Sequence, residues 1–244
     1  MDNVREDTLY VVIPAYNEQD NIEDVVNEWY EVLKLAGKDS RLVIVDDGSR
    51  DNTYAILQEL AKSRPQLTAI TKPNSGHGAT ILYAYNYAVQ AGADFVFQTD
   101  SDGQTRPAEF TEFWQQRNEY DMLIGHRNKR QDGWSRIFVT KVLKLVVKIC
   151  FGTTITDANT PFRLMKASVL REALPLVPKD FNLSNVILSV IFAKQKRRIR
   201  YMPITFRPRQ GGVNSLNFKR ICGIGWRALH DFMVINKNLK AGLR

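Results

Sequence analysis

"ADFVFQTDSDGQ", residues 93–104, is an apolar run that ends in a ladder of oxygen donors. Its first half has the length and the aromatic and β-branched content of a buried strand. Its second half sets Asp100, Asp102 and Gln104 at every second position. A turn rich in Asp and Gly needs no ligand to explain it. The same three side chains also suit Mg2+ or Mn2+, hard cations that take few protein oxygens and leave coordination sites for substrate or water. A lone D-x-D is common by chance, so the neighbouring segments must decide.

Outward from this stretch the pattern repeats. "LYVVIPA" (9–15), "RLVIVDD" (41–47), "LTAITK" (67–72) and "DMLIG" (121–125) also read as strands. Helical spacing falls between them: from about Glu18 to Leu35, after "SRDNT" with Ser49 or Asp51 as cap, and from about Gly76 to Ala91. Strands alternating with helices predict an α/β fold, a three-layer Rossmann-like arrangement whose mostly parallel sheet has helices on both faces. Ligands bind such sheets outside the carboxyl ends of the strands. Those ends carry "PAYNE" (14–18), "VDDGS" (45–49), "KPNSGHG" (72–78), "TDSDGQ" (99–104) and "GHR" (125–127). Ordinary turn composition explains one or two such loops. Five in succession point to a functional rim.

The chain has 244 residues and a formal net charge of +8. That excess favours anionic partners: nucleic acid, a membrane surface or phosphorylated substrates. Nucleic acid is disfavoured, because aromatics do not interleave with the basic residues and an acidic rim repels a phosphate backbone. A dinucleotide dehydrogenase is excluded by the lack of G-x-G-x-x-G after the first strand. Cys150 and Cys222 lie in apolar stretches without C-x-x-C spacing, which fits reduced thiols. The polar start and the absence of a run of about 18 apolar residues predict a cytoplasmic protein, placed at the cytoplasmic face of a membrane by its second half. There "WSRIFVTKVLKLVVKICFG" (134–152) reads as a helix with Lys141, Lys144 and Lys148 on one narrow face. "FKRICGIGWRALHDFMVINKNLK" (218–240) spaces Phe218, Cys222, Trp226, Leu229 and Met233 helically between basic flanks. Core packing is the commoner reason for an apolar stripe, but basic flanks also suit a helix lying on anionic lipid.

The motifs at the rim resemble glycosyltransferase family 2, the GT-A nucleotide-sugar transferases, and most of all the dolichyl- and polyprenyl-phosphate sugar transferase branch. "VVIPAYNE", "VDDGSRDNT", "NSGHGAT", "TDSDGQ", "GHR" and "PITFRPRQGGVNS" carry the resemblance over about residues 11–215. It implies a GT-A catalytic domain over 1–216, with a nucleotide-sugar half to about 127 and an acceptor half over 128–216. An amphipathic helix over 217–244 would follow. Pro14, Ala15, Tyr16, Glu18, Asp46, Asp47, Gly76, Asp100, Ser101 and Arg209 would then bind a UDP- or GDP-sugar. Asp102 and Gln104 would hold Mg2+ or Mn2+, with Asp100 on the metal or on the ribose. Arg127, Arg136, Arg163 and Arg207 would join Asp102 in catalysis, as forks for phosphate. His77 and His126 read as loop residues packing near the diphosphate.

Two stretches depart from the branch. "DANTPFR" (157–163) stands where "D..SGFR" is usual, and "FNLSN" (181–185) offers Asn182 and Asn185 where an acidic residue is usual. A missing carboxylate suits an acceptor that needs no base, such as an ionised polyprenyl phosphate. The expected activity is metal-dependent, inverting hexosyl transfer to a lipid phosphate by a peripheral membrane enzyme. An integral-membrane partner or a homo-oligomer is compatible with this. The alternatives are transfer to a hydroxyl of a lipid-linked saccharide, lipopolysaccharide or polysaccharide, and a non-catalytic nucleotide-sugar binder.

Overall fold

The computed structural model describes residues 6–127, 134–156, 159–179, 181–207, 232–233 and 235–237; of the side chains of Arg127 and of residues 134–141 nothing is described. Seven strands form one sheet: β1 (Leu9–Ala15), β2 (Arg41–Asp46), β3 (Leu67–Thr71), β4 (Phe95–Gln98), β5 (Met122–Arg127), β6 (Arg163–Lys166) and β7 (Ile199–Ile204). Their order is β3-β2-β1-β4-β6-β5-β7. Every neighbouring pair is parallel except those of β6, which runs antiparallel to both β4 and β5. The five expected strands are present, and β6 and β7 are additions to the expected set.

Among the described residues seven α-helices cover the two faces: α1 (Ile22–Tyr30), α2 (Thr53–Ser63), α3 (His77–Gln90), α4 (Phe110–Gln115), α5 (Trp134–Phe151), α6 (Ala167–Ala173) and α7 (Ser184–Lys194). The expected 18–35 helix begins later than read, at Ile22, and its last turn is a 3-10 turn over Glu31–Leu35. Alternation within the strands divides the core. Leu9, Val11, Ile13, Phe95 and Phe97 face α1, α2 and α4, where Trp29, Phe97, Phe110, Phe113 and Phe162 interlock. Val12, Val43, Val45, Val96 and Ile124 face α3, α5, α6 and α7. β1 and β2 are buried almost throughout, as parallel strands covered on both sides must be.

The expected C-terminal helix falls largely outside the described residues. Of its stretch, Phe232 packs on Phe151 and Phe181, and Asn236 donates to the Cys150 carbonyl. Cys150 is a half-buried free thiol whose pKa burial pushes up. Cys222 lies outside the described residues.

Candidate active site

The carboxyl ends of β1, β2, β3 and β4 meet at one edge of the sheet, and their loops are stitched to each other. After β1, Asn17 takes a left-handed backbone (φ 55°), which Asn tolerates better than most residues. Its N–H donates to Ser49 Oγ at 2.9 Å, and its side-chain oxygen accepts from the Arg50 N–H at 2.9 Å. The Glu18 N–H donates to Thr53 Oγ1 at 2.8 Å. Gln19 and Asp51 add two further bonds between the same loops. Tyr16 is left exposed at the tip, while Pro14 and Ala15 are buried below it.

Asp46 and Asp47 were expected to accept from base and ribose. In the structure both are buried and already accept protein donors. Asp46 receives the Thr71 hydroxyl at 2.8 Å and the Ser49 N–H. Asp47 pairs with Lys72 and accepts the N–H groups of Ser75 and Gly76, each at 2.9 Å. Burial pushes the Asp47 carboxyl up, but the Lys72 ammonium, the Ser75 N–H and the Thr80 hydroxyl together outweigh it, so its pKa lies below the ordinary value. An ionised carboxylate has about four lone-pair sites, and these four donors already engage them, so a ligand would have to displace or share with one.

This lowered pKa gives a pH signature. A folded-state pKa below the unfolded one contributes stability above the unfolded value, near pH 4, and loses it as pH falls through the folded value. The stability deficit of Asp47→Asn is therefore expected to be full at pH 7 and to shrink below about pH 4. Chemical denaturation of both proteins at pH 7, 5 and 3.5 checks this; a deficit that does not change with pH would count against it.

Asp100, Ser101 and Asp102 follow β4 after Thr99. His77, the first residue of α3, places Nε2 3.7 Å from Asp100 Oδ1. Asp102 Oδ1 accepts the Gln104 N–H at 3.1 Å, an Asx turn that holds the loop. Ser101 is buried, as is the Thr99–Thr105 hydroxyl pair that pins the loop's base at 2.7 Å. Among the described residues no three His, Cys, Asp or Glu side chains form a ready-made cage. The donor set still fits Mg2+ or Mn2+: two carboxylates and a carboxamide on one loop are hard oxygens, and no described Lys or Arg forms an ion pair with Asp102. A substrate diphosphate would complete such a shell.

Below this loop lies a polar network that the sequence did not disclose. Tyr85 is fully buried and its hydroxyl donates to Gln98 Oε1 at 2.5 Å, with Asn185 Oδ1 at 3.5 Å. Burial pushes the Tyr85 pKa far above the ordinary phenol value. Gly78 lets α3 start against the 181–182 backbone, since a Cβ there would stand 2.4 Å from the Phe181 carbonyl oxygen.

The arginines divide. Arg163, expected to fork a phosphate, is fully buried instead. Its guanidinium donates to the Thr160 carbonyl from Nε and Nη2 (3.1 and 2.8 Å) and to the Asn185 carbonyl at 2.9 Å. Arg207 is at the rim: its N–H donates to the Gln104 carbonyl at 2.8 Å, and its side chain pairs with Glu28 of α1 at 2.7 Å. Arg127 ends β5 and Arg136 lies in the first turn of α5, but their side chains are outside the description. Arg209 and Asp157 are outside it altogether. Lys72 and Glu28, which hold Asp47 and Arg207, were not singled out beforehand. The signal for Lys72 was present in its place directly after β3.

A model of glycosyl transferase family 2 matches residues 10–174, well over half of the chain. The chain belongs to that family. It is 27% identical over 218 residues to an undecaprenyl-phosphate 4-deoxy-4-formamido-L-arabinose transferase of Edwardsiella ictaluri (strain 93-146). That stretch is 88% of this chain but 64% of the relative, so the chain spans somewhat under two thirds of that protein's length. Among solved structures it resembles the Mycobacterium tuberculosis glucosyl-3-phosphoglycerate synthase crystallised with Mn2+, UDP and glucosyl-3-phosphoglycerate. The TM-score is 0.68 at 15% identity, covering 95% of this chain and 80% of that one. S. aureus TarS 1–349 is similar at a TM-score of 0.56 and 19% identity, over 81% of this chain and 60% of that one. At such identities the two structures speak for the fold alone. This family 2 member thus has a mixed α/β fold like theirs, with the D-x-D loop at the carboxyl end of its fourth strand.

Proposed function

We propose that this family 2 protein transfers a sugar from a UDP- or GDP-sugar to a polyprenyl-phosphate-type lipid, with inversion, at a membrane surface. The observation that carries this is the convergence of the Asp47 and Asp100–Asp102 loops on one rim, beside an exposed Tyr16. The relative that uses undecaprenyl phosphate supports the acceptor.

In this reading Tyr16 stacks on the base, and Asp47 exchanges one of its present donors for one from base or ribose. Asp102 and Gln104 hold the cation, with Asp100 on the cation or the ribose; a bound Mg2+ or Mn2+ supplies positive charge for the departing diphosphate. An acceptor phosphate oxygen attacks the anomeric carbon as the bond to the nucleotide diphosphate breaks, and no general base is needed for an acceptor already ionised. Arg207 must leave Glu28 to reach the diphosphate. Arg127 and Arg136 are assigned to the phosphates by their places at the end of β5 and the start of α5.

The membrane reading rests on α5. Val142, Leu145 and Ile149 recur along one exposed stripe, with Ile149 73% exposed, and Lys144 and Lys148 are exposed alongside. Met233 is exposed beyond them. Apolar residues beside lysines suit the interface of an anionic membrane. Among the described residues no helix is long and apolar enough to cross a membrane.

Radiolabelled sugar nucleotides with Mn2+, offered with polyprenyl phosphate or with a lipid-linked saccharide, test the acceptor. Label entering only the saccharide would overturn the lipid-phosphate reading, and donor binding without turnover on any acceptor would favour a non-catalytic binder. Arg136→Ala is expected to lower lipid-phosphate transfer by about tenfold or more, as loss of a charge-assisted contact does, while donor hydrolysis changes little. Equal losses in both reactions would remove Arg136 from the acceptor side.

A further inference from the structure

We infer that His126 lines the sugar pocket and helps to select the transferred sugar, an inference that rests on the nucleotide-sugar reading above. His126 lies within β5 rather than in a loop. Met122 and Ile124, two and four residues before it, belong to the core beneath α3 and α7, whereas Gly125 backs onto Ile204 and Phe162 on the opposite face. Alternation therefore sets His126 on the same face as Tyr85, Arg163 and Asn185.

The ring is half-buried at the rim. Its Nδ1 is shielded from water and has no hydrogen-bond partner among the described residues. Buried polar atoms are nearly always paired, so one without a partner at the edge of a substrate site calls for a ligand or a water.

Strand register says which ligand. Gln98 pairs with Arg163, and Arg163 with Ile124. The Gly125 N–H donates to the Phe162 carbonyl at 2.7 Å, which carries the ladder one step further toward the rim. Continued past the ends of β4 and β6, the same antiparallel register would set Asp100, Pro161 and His126 level with one another. With neighbouring strands about 4.8 Å apart, that register would leave the backbones of Asp100 and His126 about 10 Å from each other. A sugar joined to a diphosphate at the Asp100–Asp102 loop would extend across Pro161 toward His126, and one sugar ring hydrogen-bonded at both edges spans that gap. Pro161 has no N–H to compete for the sugar's hydroxyls, and its ring would offer an apolar surface. Arg163, one row deeper, is held by the Thr160 and Asn185 carbonyls. A neutral imidazole offers one donor and one acceptor, the complement of a hydroxyl. A site that hydrogen-bonds a hydroxyl discriminates strongly against analogues that lack it or turn it away.

Titration calorimetry with Mn2+ on the full chain separates the possibilities. UDP, GDP and a panel of their sugar conjugates are titrated into wild type, His126→Leu and His126→Gln. One sugar nucleotide is expected to bind wild type more tightly than its parent nucleotide. His126→Leu should erase about tenfold or more of that difference while the nucleotide's own affinity stays within about twofold, and His126→Gln should restore part of it. The inference is overturned if the sugar-dependent difference survives in His126→Leu, if nucleotide affinity falls together with it, or if no sugar adds affinity to a nucleotide that binds. Failure of both UDP and GDP to bind wild type is a different result: it removes the nucleotide-sugar reading itself, and the inference with it.

Discussion

Asp102→Asn is expected to reduce sugar transfer by at least about a hundredfold while the protein stays folded. The substitution keeps the size of the side chain and the oxygen that accepts the Gln104 N–H at 3.1 Å, so the loop has little reason to unravel. What it removes is a full negative charge from a loop whose remaining charge is on Asp100. A cation held by one carboxylate and a carboxamide binds more weakly, and its help to a departing diphosphate is an electrostatic effect worth several kcal/mol. The melting temperature should move by no more than about 2 °C, because the altered group is not a core element. Turnover measured across a Mn2+ series checks the assignment. A loss partly recovered at high Mn2+ locates the defect in cation binding, and unchanged turnover would remove Asp102 from the metal site.

The second large effect is one of stability. Arg163→Met is expected to destabilise the fold by roughly 2–4 kcal/mol, because it strips buried carbonyls of their donors. Thr160 loses two N–H partners and Asn185 loses one, in an interior where water has no ready access. For a chain of this length that corresponds to a drop of about 5–15 °C in melting temperature. Arg163→Lys should rescue little, since an ammonium cannot reproduce the planar fork that reaches both carbonyls. Below its lowered melting point, the folded variant should turn over within about threefold of wild type. A normal melting temperature with collapsed turnover would return Arg163 to the role of a phosphate fork.

Arg163 also illustrates where sequence reading stops. An arginine beside a rim motif looks the same on paper whether its guanidinium meets a diphosphate or two backbone carbonyls. Strands β1 and β2 were legible because each is a continuous apolar run, as burial on both faces requires. β6, "RLMK", is four residues long with a charge at each end, and β7 carries Pro203 at the sheet's edge; neither has a period to read. The loop residues of the site were visible as chemistry, but their partners were not. Asp47 is held by Lys72, 25 residues on, and Arg207 by Glu28, 179 residues back. Such pairings depend on strand order, and the Arg207 pair also depends on β7, one of the two strands missing from the sequence reading. His126 was read as a loop residue after a strand ending at Gly125; the strand continues through that glycine to Arg127.

The reversed direction of β6 has a consequence for how relatives of this protein can diverge. β5 arrives at the rim with Arg127, and β6 departs from the same rim with Arg163. The excursion between them, which contains α5, therefore leaves and re-enters the sheet on adjacent strands. Insertions, deletions or wholesale replacement within such a closed excursion need not disturb the pairing of any strand, nor the loops after β1, β2 and β3. If that excursion holds the acceptor, as proposed above, acceptor preference can drift by exchange of one cassette while the loops after β1, β2 and β3 are inherited unchanged.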